Sequence, residues 1–174
     1  TLDNLEKITN IIIRSQYHGS MMEARHRKSP IAEKFRIIPN GVRVDDFTPD
    51  STVERDPKRF VWCSCYTRGL GPILQIMWPI IKHNEPDATF HIYYGMDNVR
   101  DENFKNNMNQ LLQYPGVIDH GRQPVEVIVK EKQTASFHLY YSATDAETDC
   151  ISIRESCVAG CIPILSKHGV FAER

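Results

Sequence analysis

The sequence of 174 residues carries 41% hydrophobic, 25% charged and 9% aromatic side chains, with 21 basic against 22 acidic residues for a formal net charge of −1. That composition excludes a disordered or collagen-like chain, and a chain this long buries roughly 70% of its unfolded surface, so it builds a core without a disulfide or metal staple. A near-neutral balance gives no general attraction to nucleic acid or an anionic membrane, and no apolar run approaches the roughly 20 residues of a membrane span.

In chain order, a short strand at Ile11 to Ile13 and a helix to about Ala24 come first, followed by a basic stretch from Arg25 to Lys28. Such a run reads as a solvated face, with a phosphate or peripheral membrane contact as the alternative. Arg36 to Val42 and a polar, proline-containing linker from Thr48 to Lys58 complete a first segment, 1–57. From residue 58 onward, apolar runs of four to six residues alternate with amphipathic stretches of ten to fifteen. That alternation predicts βα units around a buried parallel sheet, an α/β Rossmann-like layer with flanking helices. The predicted strands are Phe60 to Cys65, Thr89 to Tyr94, Gly116 to Asp119, Phe137 to Tyr141 and Ile162 to Leu165. Between them the spacing predicts one helix burying Ile73, Met77, Ile80 and Ile81, with a kink at Pro79, and a second burying Phe104, Met108, Leu111 and Leu112. A third helix starts at Pro124 and buries Val125, Ile128 and Val129, and a fourth runs from Ile153 to Ala159 and ends at Gly160.

The five cysteines, Cys63, Cys65, Cys150, Cys157 and Cys161, are an odd number without paired C-x-x-C spacing, which fits reduced thiols in a cytoplasmic compartment. Cys157 and Cys161 with His168 have the elements of a metal site, but small buried thiols are the commoner use of such residues, and no metal is expected.

In open α/β sheets ligands bind beyond the carboxyl ends of the strands, so the loops that follow strands carry the chemistry. Three stand out. Ser64 to Gly71 combines small residues, a helix start and Arg68, a combination suited to phosphate. Gly69 and Gly71 with Asp97 also allow a weak dinucleotide reading, although Leu74 stands at the third glycine position. His120 to Pro124 offers Gly121 backbone groups to a nucleobase, with Arg122 near phosphate. Glu147 to Glu155 places two carboxylates eight residues apart around a strand-to-helix loop. Carboxylates accept from vicinal hydroxyls, and the N–H groups of Cys150, Ile151 and Ser152 suit a diphosphate. Ser152 and Glu155 also spell a capping box, in which Glu155 only satisfies the helix start.

These residues carry a resemblance. The run from Arg36 to Phe47, which reads IPNGV from Ile38 to Val42, resembles the interdomain segment of GT-B glycosyltransferases, in particular the retaining family 4. Arg68-Gly69-Leu70 is similar to that family's phosphate-binding turn, with arginine in place of lysine. Glu147 to Glu155 resembles its E-x7-E motif, and Gly160 to Pro163 its continuation; the match covers roughly residues 8–174. Two departures accompany it: Cys63, Ser64 and Cys65 stand where an upstream phosphate-binding arginine is usual, and Thr148 and Cys150 where glycines are common.

The resemblance implies the nucleotide-sugar-binding half of a retaining glycosyltransferase whose donor is a UDP- or GDP-sugar, without a further cofactor. Glu155 would hold the ribose and Glu147 the donor sugar. Arg68 with the amides of Cys150, Ile151 and Ser152 would stabilise the departing diphosphate, so that no metal pair is required, and Ser64 and Gly69 would line the same donor site. Asp45, Asp46, Asp145 and Asp149 are expected to be loop acids. Residues 1–57 would be the tail of an N-terminal domain and a linker, and 58–174 a nucleotide-sugar domain truncated at its end. The chain is then expected to be a fragment, weak or inactive alone, whose parent acts on a glycan, lipid or protein acceptor. Rival expectations are an NAD-dependent oxidoreductase fragment, a non-catalytic binding module and a sugar epimerase of the same fold.

Overall fold

The computed structural model describes residues 7–25, 31–142 and 147–173, which fall into two compact units. Most of the basic stretch and Asp145 lie outside the described residues. The smaller unit holds 7–41, 147–151 and 167–173; the larger holds 42–142 and 152–166.

In the smaller unit, β1 (Ile11–Ile13) pairs in parallel with β2 (Phe35–Ile37), and α1 (Gln16–Arg25) connects toward it. A parallel pair needs a crossover, and α1 supplies it. Gly19 sits on α1 so close to Ile13 and Phe35 that an added Cβ would meet the Ile13 side chain at 2.9 Å. A short 3₁₀ turn, Gly169–Glu173, packs against α1, with Tyr17 N–H donating to Glu173 Oε2 at 2.9 Å.

The larger unit opens with α2 (Val44–Phe47) and then builds the expected sheet. Its strands are β3 (Asp56–Cys63), β4 (Thr89–Tyr93), β5 (Val117–Gly121), β6 (Ala135–Tyr140) and β7 (Ile162–Leu165). All are parallel, in the order β5-β4-β3-β6-β7. The central strands are buried on both faces, as a parallel sheet requires, and Val61, Trp62, Phe90, Ile92 and Leu139 are each 0% exposed. One face carries an aromatic layer in which Phe60 stacks on Phe137 and Trp78 packs edge-on to Phe60 and against Phe90. On the other face Val61, Tyr93, Ala135 and Cys161 pack with Cys63 and with Ile128 of α6 (Val125–Thr134).

Two predicted helix faces are corrected. The helix after β3 runs through α3 (Leu70–Pro72), a π-helical stretch Ile73–Met77 and α4 (Trp78–Asn84). The π stretch ends just before Pro79, whose missing N–H and ring disfavour a regular α turn there. Its extra residue rotates the downstream turns by about 100°, so Ile80 turns out to 60% exposure while Trp78 becomes core. On α6, Val125 in the first turn is 44% exposed and Ile128 is half-buried. The second predicted helix is α5 (Glu102–Leu111), capped by Asp101 accepting from Phe104 N–H at 3.1 Å, with Met108 and Leu111 buried as expected.

Candidate functional site

Chain progression reverses between β3 and β6, so the loops leaving their carboxyl ends diverge, the kind of point at which open α/β sheets take ligands. The loop after β3 holds Ser64, Arg68 and Gly69. Trp62 Nε1 donates to the Ser64 carbonyl at 2.7 Å, and a 3₁₀ turn, Tyr66–Arg68, closes with Arg68 N–H on Cys65 O at 3.0 Å. Gly69 follows at φ +122°, pressed against the Tyr141 carbonyl that leaves β6, where any Cβ would overlap that oxygen. Only glycine fits, and Arg68 is left exposed at the end of a rigid turn.

The ends of β4 and β5 form a second cluster. The β4–β5 register shifts between Ile92 and Tyr93, and Tyr94 adopts φ +110° with its N–H on Gly121 O at 2.9 Å. A tyrosine in that region is strained, and such strain collects at functional loops. An added Cβ on Gly95 would lie 3.3 Å from Arg122 N, and the Arg122 guanidinium sits 5.3 Å above the Tyr94 ring. Asp119 Oδ1 accepts from Gly121 N–H at 2.9 Å and from the Tyr66 hydroxyl. Burial and that carboxylate push the Tyr66 hydroxyl pKa well above its ordinary value. The predicted residues Gly121 and Arg122 are thus joined to the Arg68 turn through Asp119 and Tyr66. Neither Tyr66, Tyr94 nor Asp119 was expected to take part.

At the start of α7 (Ile151–Val158) the capping-box alternative is corrected. The helix begins before Ser152, and the Ser152 hydroxyl donates to Cys63 O at 2.9 Å instead of capping the backbone. Glu155 reaches Lys132, a residue absent from the predicted site. Lys132 Nζ is fully buried and donates to Glu155 Oε2 at 2.6 Å, Ser152 O at 2.8 Å and Ser152 Oγ at 3.0 Å. Beneath it Ser156 Oγ donates to Ser152 O at 3.0 Å and meets His138 Nδ1 at 2.7 Å. The serine has one proton to give, so His138 Nδ1 carries the proton in that contact. Burial holds His138 well below the usual histidine range. A signal for Lys132 exists in the sequence, because it stands four residues after Ile128 on the buried stripe of α6.

In the smaller unit, the other half of the E-x7-E loop is held by the IPNGV segment. Glu147 is 9% exposed and its Oε1 accepts from Asp149 N–H at 3.3 Å. Asp149 is 4% exposed and accepts from Asn40 N–H at 2.6 Å, so it is a structural anchor rather than the expected loop acid. Asn40 Nδ2 donates to Asp149 O at 3.1 Å, and Ser15 Oγ to Thr148 O at 2.7 Å. Cys150 is buried and Ile151 is 43% exposed. Asp45 and Asp46 are exposed, Asp46 pairing with Arg43 at 2.9 Å. Among the described residues no group of three histidine, cysteine or acidic side chains is placed to hold a metal; Cys161 is buried, which pushes its thiol pKa up to about 12. No helix among the described residues is long and apolar enough to cross a membrane.

No family model matches the chain, and no curated relative does. Solved structures do resemble it. Anabaena Alr3699/HepE, solved with UDP-glucose, superposes with a TM-score of 0.73 at 13% identity, over 95% of this chain and 46% of that one. The pneumococcal O-GlcNAc transferase GtfA, solved with UDP and GlcNAc, gives 0.63 at 19% identity over 95% of this chain and 32% of its own. WaaG, a glycosyltransferase of lipopolysaccharide biosynthesis, gives 0.67 at 14% identity over 93% and 45%. The chain therefore spans 32 to 46% of the length of these structures.

Proposed function

We propose that this chain, whose fold is the Rossmann-like C-terminal half of the GT-B glycosyltransferases, binds a nucleotide-diphosphate sugar and serves a retaining glycosyl transfer. The observation that carries the reading is the Ser152 hydroxyl on the Cys63 carbonyl, at 2.9 Å. It sets the first turn of α7 against the carboxyl end of β3, where the Arg68 turn begins, at the reversal point of the sheet. A helix start and a forked guanidinium suit the diphosphate of a donor.

Each residue has a role in the proposal. Arg68, on its glycine-locked turn, pairs with the diphosphate, joined by the amide of Ser152. Stabilising negative charge as the nucleotide departs is what lowers the barrier in this class of reaction. Glu155 accepts from the ribose hydroxyls, and the Gly121–Arg122 loop meets the base. The neighbours solved with UDP or a UDP-sugar support a uridine donor. Residues 1–57 act as the tail of an acceptor-side domain and a linker, and 58–174 as the donor domain.

Calorimetric titration with UDP, GDP, ADP and NAD tests the reading. Binding of UDP or GDP, weakened by Arg68→Ala, is the expected result. Binding of NAD alone, or of none at millimolar concentration, overturns it.

A further inference from the structure

Lys132 is the feature that the donor-binding roles leave unexplained. Its ammonium is 0% exposed, and a buried charge is costly; an apolar side chain of similar length is often as stable or more so at such a place. Its three hydrogens are all committed, to Ser152 O, Ser152 Oγ and Glu155 Oε2, so it has no donor left for a ligand. The ring of Phe47 lies 5.6 Å from Nζ and closes another side. Glu155, by contrast, remains 23% exposed, and its Oε1 accepts no hydrogen bond from a described residue. The lysine therefore fixes one carboxylate oxygen and the helix backbone together, and leaves the lone pairs of the other oxygen uncommitted on a side chain that is still partly exposed.

We propose that Lys132 is a positioning residue for ribose recognition: it locks the Glu155 carboxylate so that Oε1 is pre-oriented toward a vicinal diol. This rests on the donor-binding reading above. A carboxylate on a side chain with three rotatable bonds samples several rotamers, and fixing it before the ligand arrives removes that entropy from the binding step. The same ion pair makes Glu155 locally neutral, so the acid does not repel the diphosphate that the neighbouring turn receives.

The test compares UDP with its 2′-deoxy and 3′-deoxy analogues by calorimetry on the wild-type chain, Lys132→Met, Glu155→Gln and the double variant, with thermal denaturation of each. The wild type should prefer UDP over at least one deoxy analogue by roughly tenfold, the worth of one charge-assisted hydrogen bond. In Lys132→Met that ratio should fall toward one, and in the Glu155→Gln background the lysine change should move it no further. A merely structural lysine would lower the melting temperature and leave the ratio alone, and that result overturns the inference while the donor reading stands. Should Lys132→Met fail to fold, Lys132→Gln keeps a donor without the charge and carries the same comparison. Absence of UDP binding by the wild type overturns both.

Discussion

Asn40 and Asp149 grip each other from opposite ends of the sequence: the Asn40 backbone N–H donates to Asp149 Oδ2 at 2.6 Å while its side-chain amide donates to the Asp149 carbonyl at 3.1 Å. The asparagine of the IPNGV run thereby fixes the loop that begins the E-x7-E motif. A part-buried N–H on a carboxylate is worth about 1.5–3 kcal/mol, because a hydrogen bond to a charged group is stronger than a neutral one. Asp149→Ala should therefore cost about that much in chemical denaturation. Asn40→Ala, which keeps the backbone bond, should cost less. Equal stability of wild type and Asp149→Ala would show that the clamp contributes nothing.

Gly69 gives a sharper contrast. Its φ of +122° and the Tyr141 carbonyl beneath it forbid a side chain, whereas Gly41 has nothing within 4 Å of a Cβ and no positive φ. Gly69→Ala should destabilise the chain by more than about 2 kcal/mol and abolish nucleotide binding. Gly41→Ala should change either quantity little. Urea denaturation of the two variants side by side checks both halves.

The parallel sheet was legible because its strands are apolar runs bounded by turn residues, and Gly69, Gly160 and Pro124 punctuate them where the elements change. The wheel drawn for Ile73 to Ile81 failed at Ile80, since a helical wheel assumes 3.6 residues per turn and the π stretch Ile73–Met77 does not keep it. β2 escaped notice because three residues, Phe35–Ile37, carry no measurable alternation. Within the proposed site, Arg68 and Glu155 are named by local motifs. The pairings that hold the site and the clamp are not local: Lys132, although its place on the buried stripe of α6 is readable, lies 23 residues from Glu155, and Asn40 lies 109 from Asp149. A local pattern does not encode such distances. The capping box failed for the same reason, because a distant ammonium outcompetes the helix backbone for the Glu155 carboxylate.

A buried polar network on the α6 face gives the stability of the chain a pH dependence. His91 Nδ1 meets His120 Nε2 at 3.0 Å, and Glu131 takes the Tyr93 hydroxyl at 2.9 Å and Arg59 Nη1 at 3.4 Å. Burial first, then the charge of Arg59 and the neighbouring His120, lowers the His91 pKa from 6.5 to about 4. The unfolded chain thus binds a proton that the folded chain refuses between those values. Stability is full above pH 6.5 and falls as the pH drops toward 4, by on the order of 2–3 kcal/mol from this group. Burial raises the Glu131 pKa above 4.5, which acts in the opposite sense, disfavouring the fold as the carboxyl ionises. His91→Phe should flatten the loss between pH 6.5 and 4.5 in urea denaturation. Parallel wild-type and variant curves would assign the acid sensitivity elsewhere.

Arg68 is exposed and sits outside the core, so Arg68→Ala should leave the melting temperature within about 1 °C of wild type, as surface changes do. The diphosphate should nevertheless bind about 10- to 100-fold more weakly, while uridine, which lacks phosphate, should be indifferent to the change. Competition calorimetry with both compounds separates a phosphate contact from a general loss of the pocket.

The central claim is that a nucleotide diphosphate occupies the crevice at the reversal point of the sheet. Titrating the isotope-labelled chain with UDP and following its backbone amide resonances tests that claim most directly. The predicted result is saturable shifts at Ser64 to Gly69, Gly121, Arg122 and Ser152 to Glu155, and none on the far ends of the strands at Asp56, Thr89 or Ala135. Saturable shifts confined to another surface, or none with UDP, GDP or ADP at millimolar concentration, would contradict it.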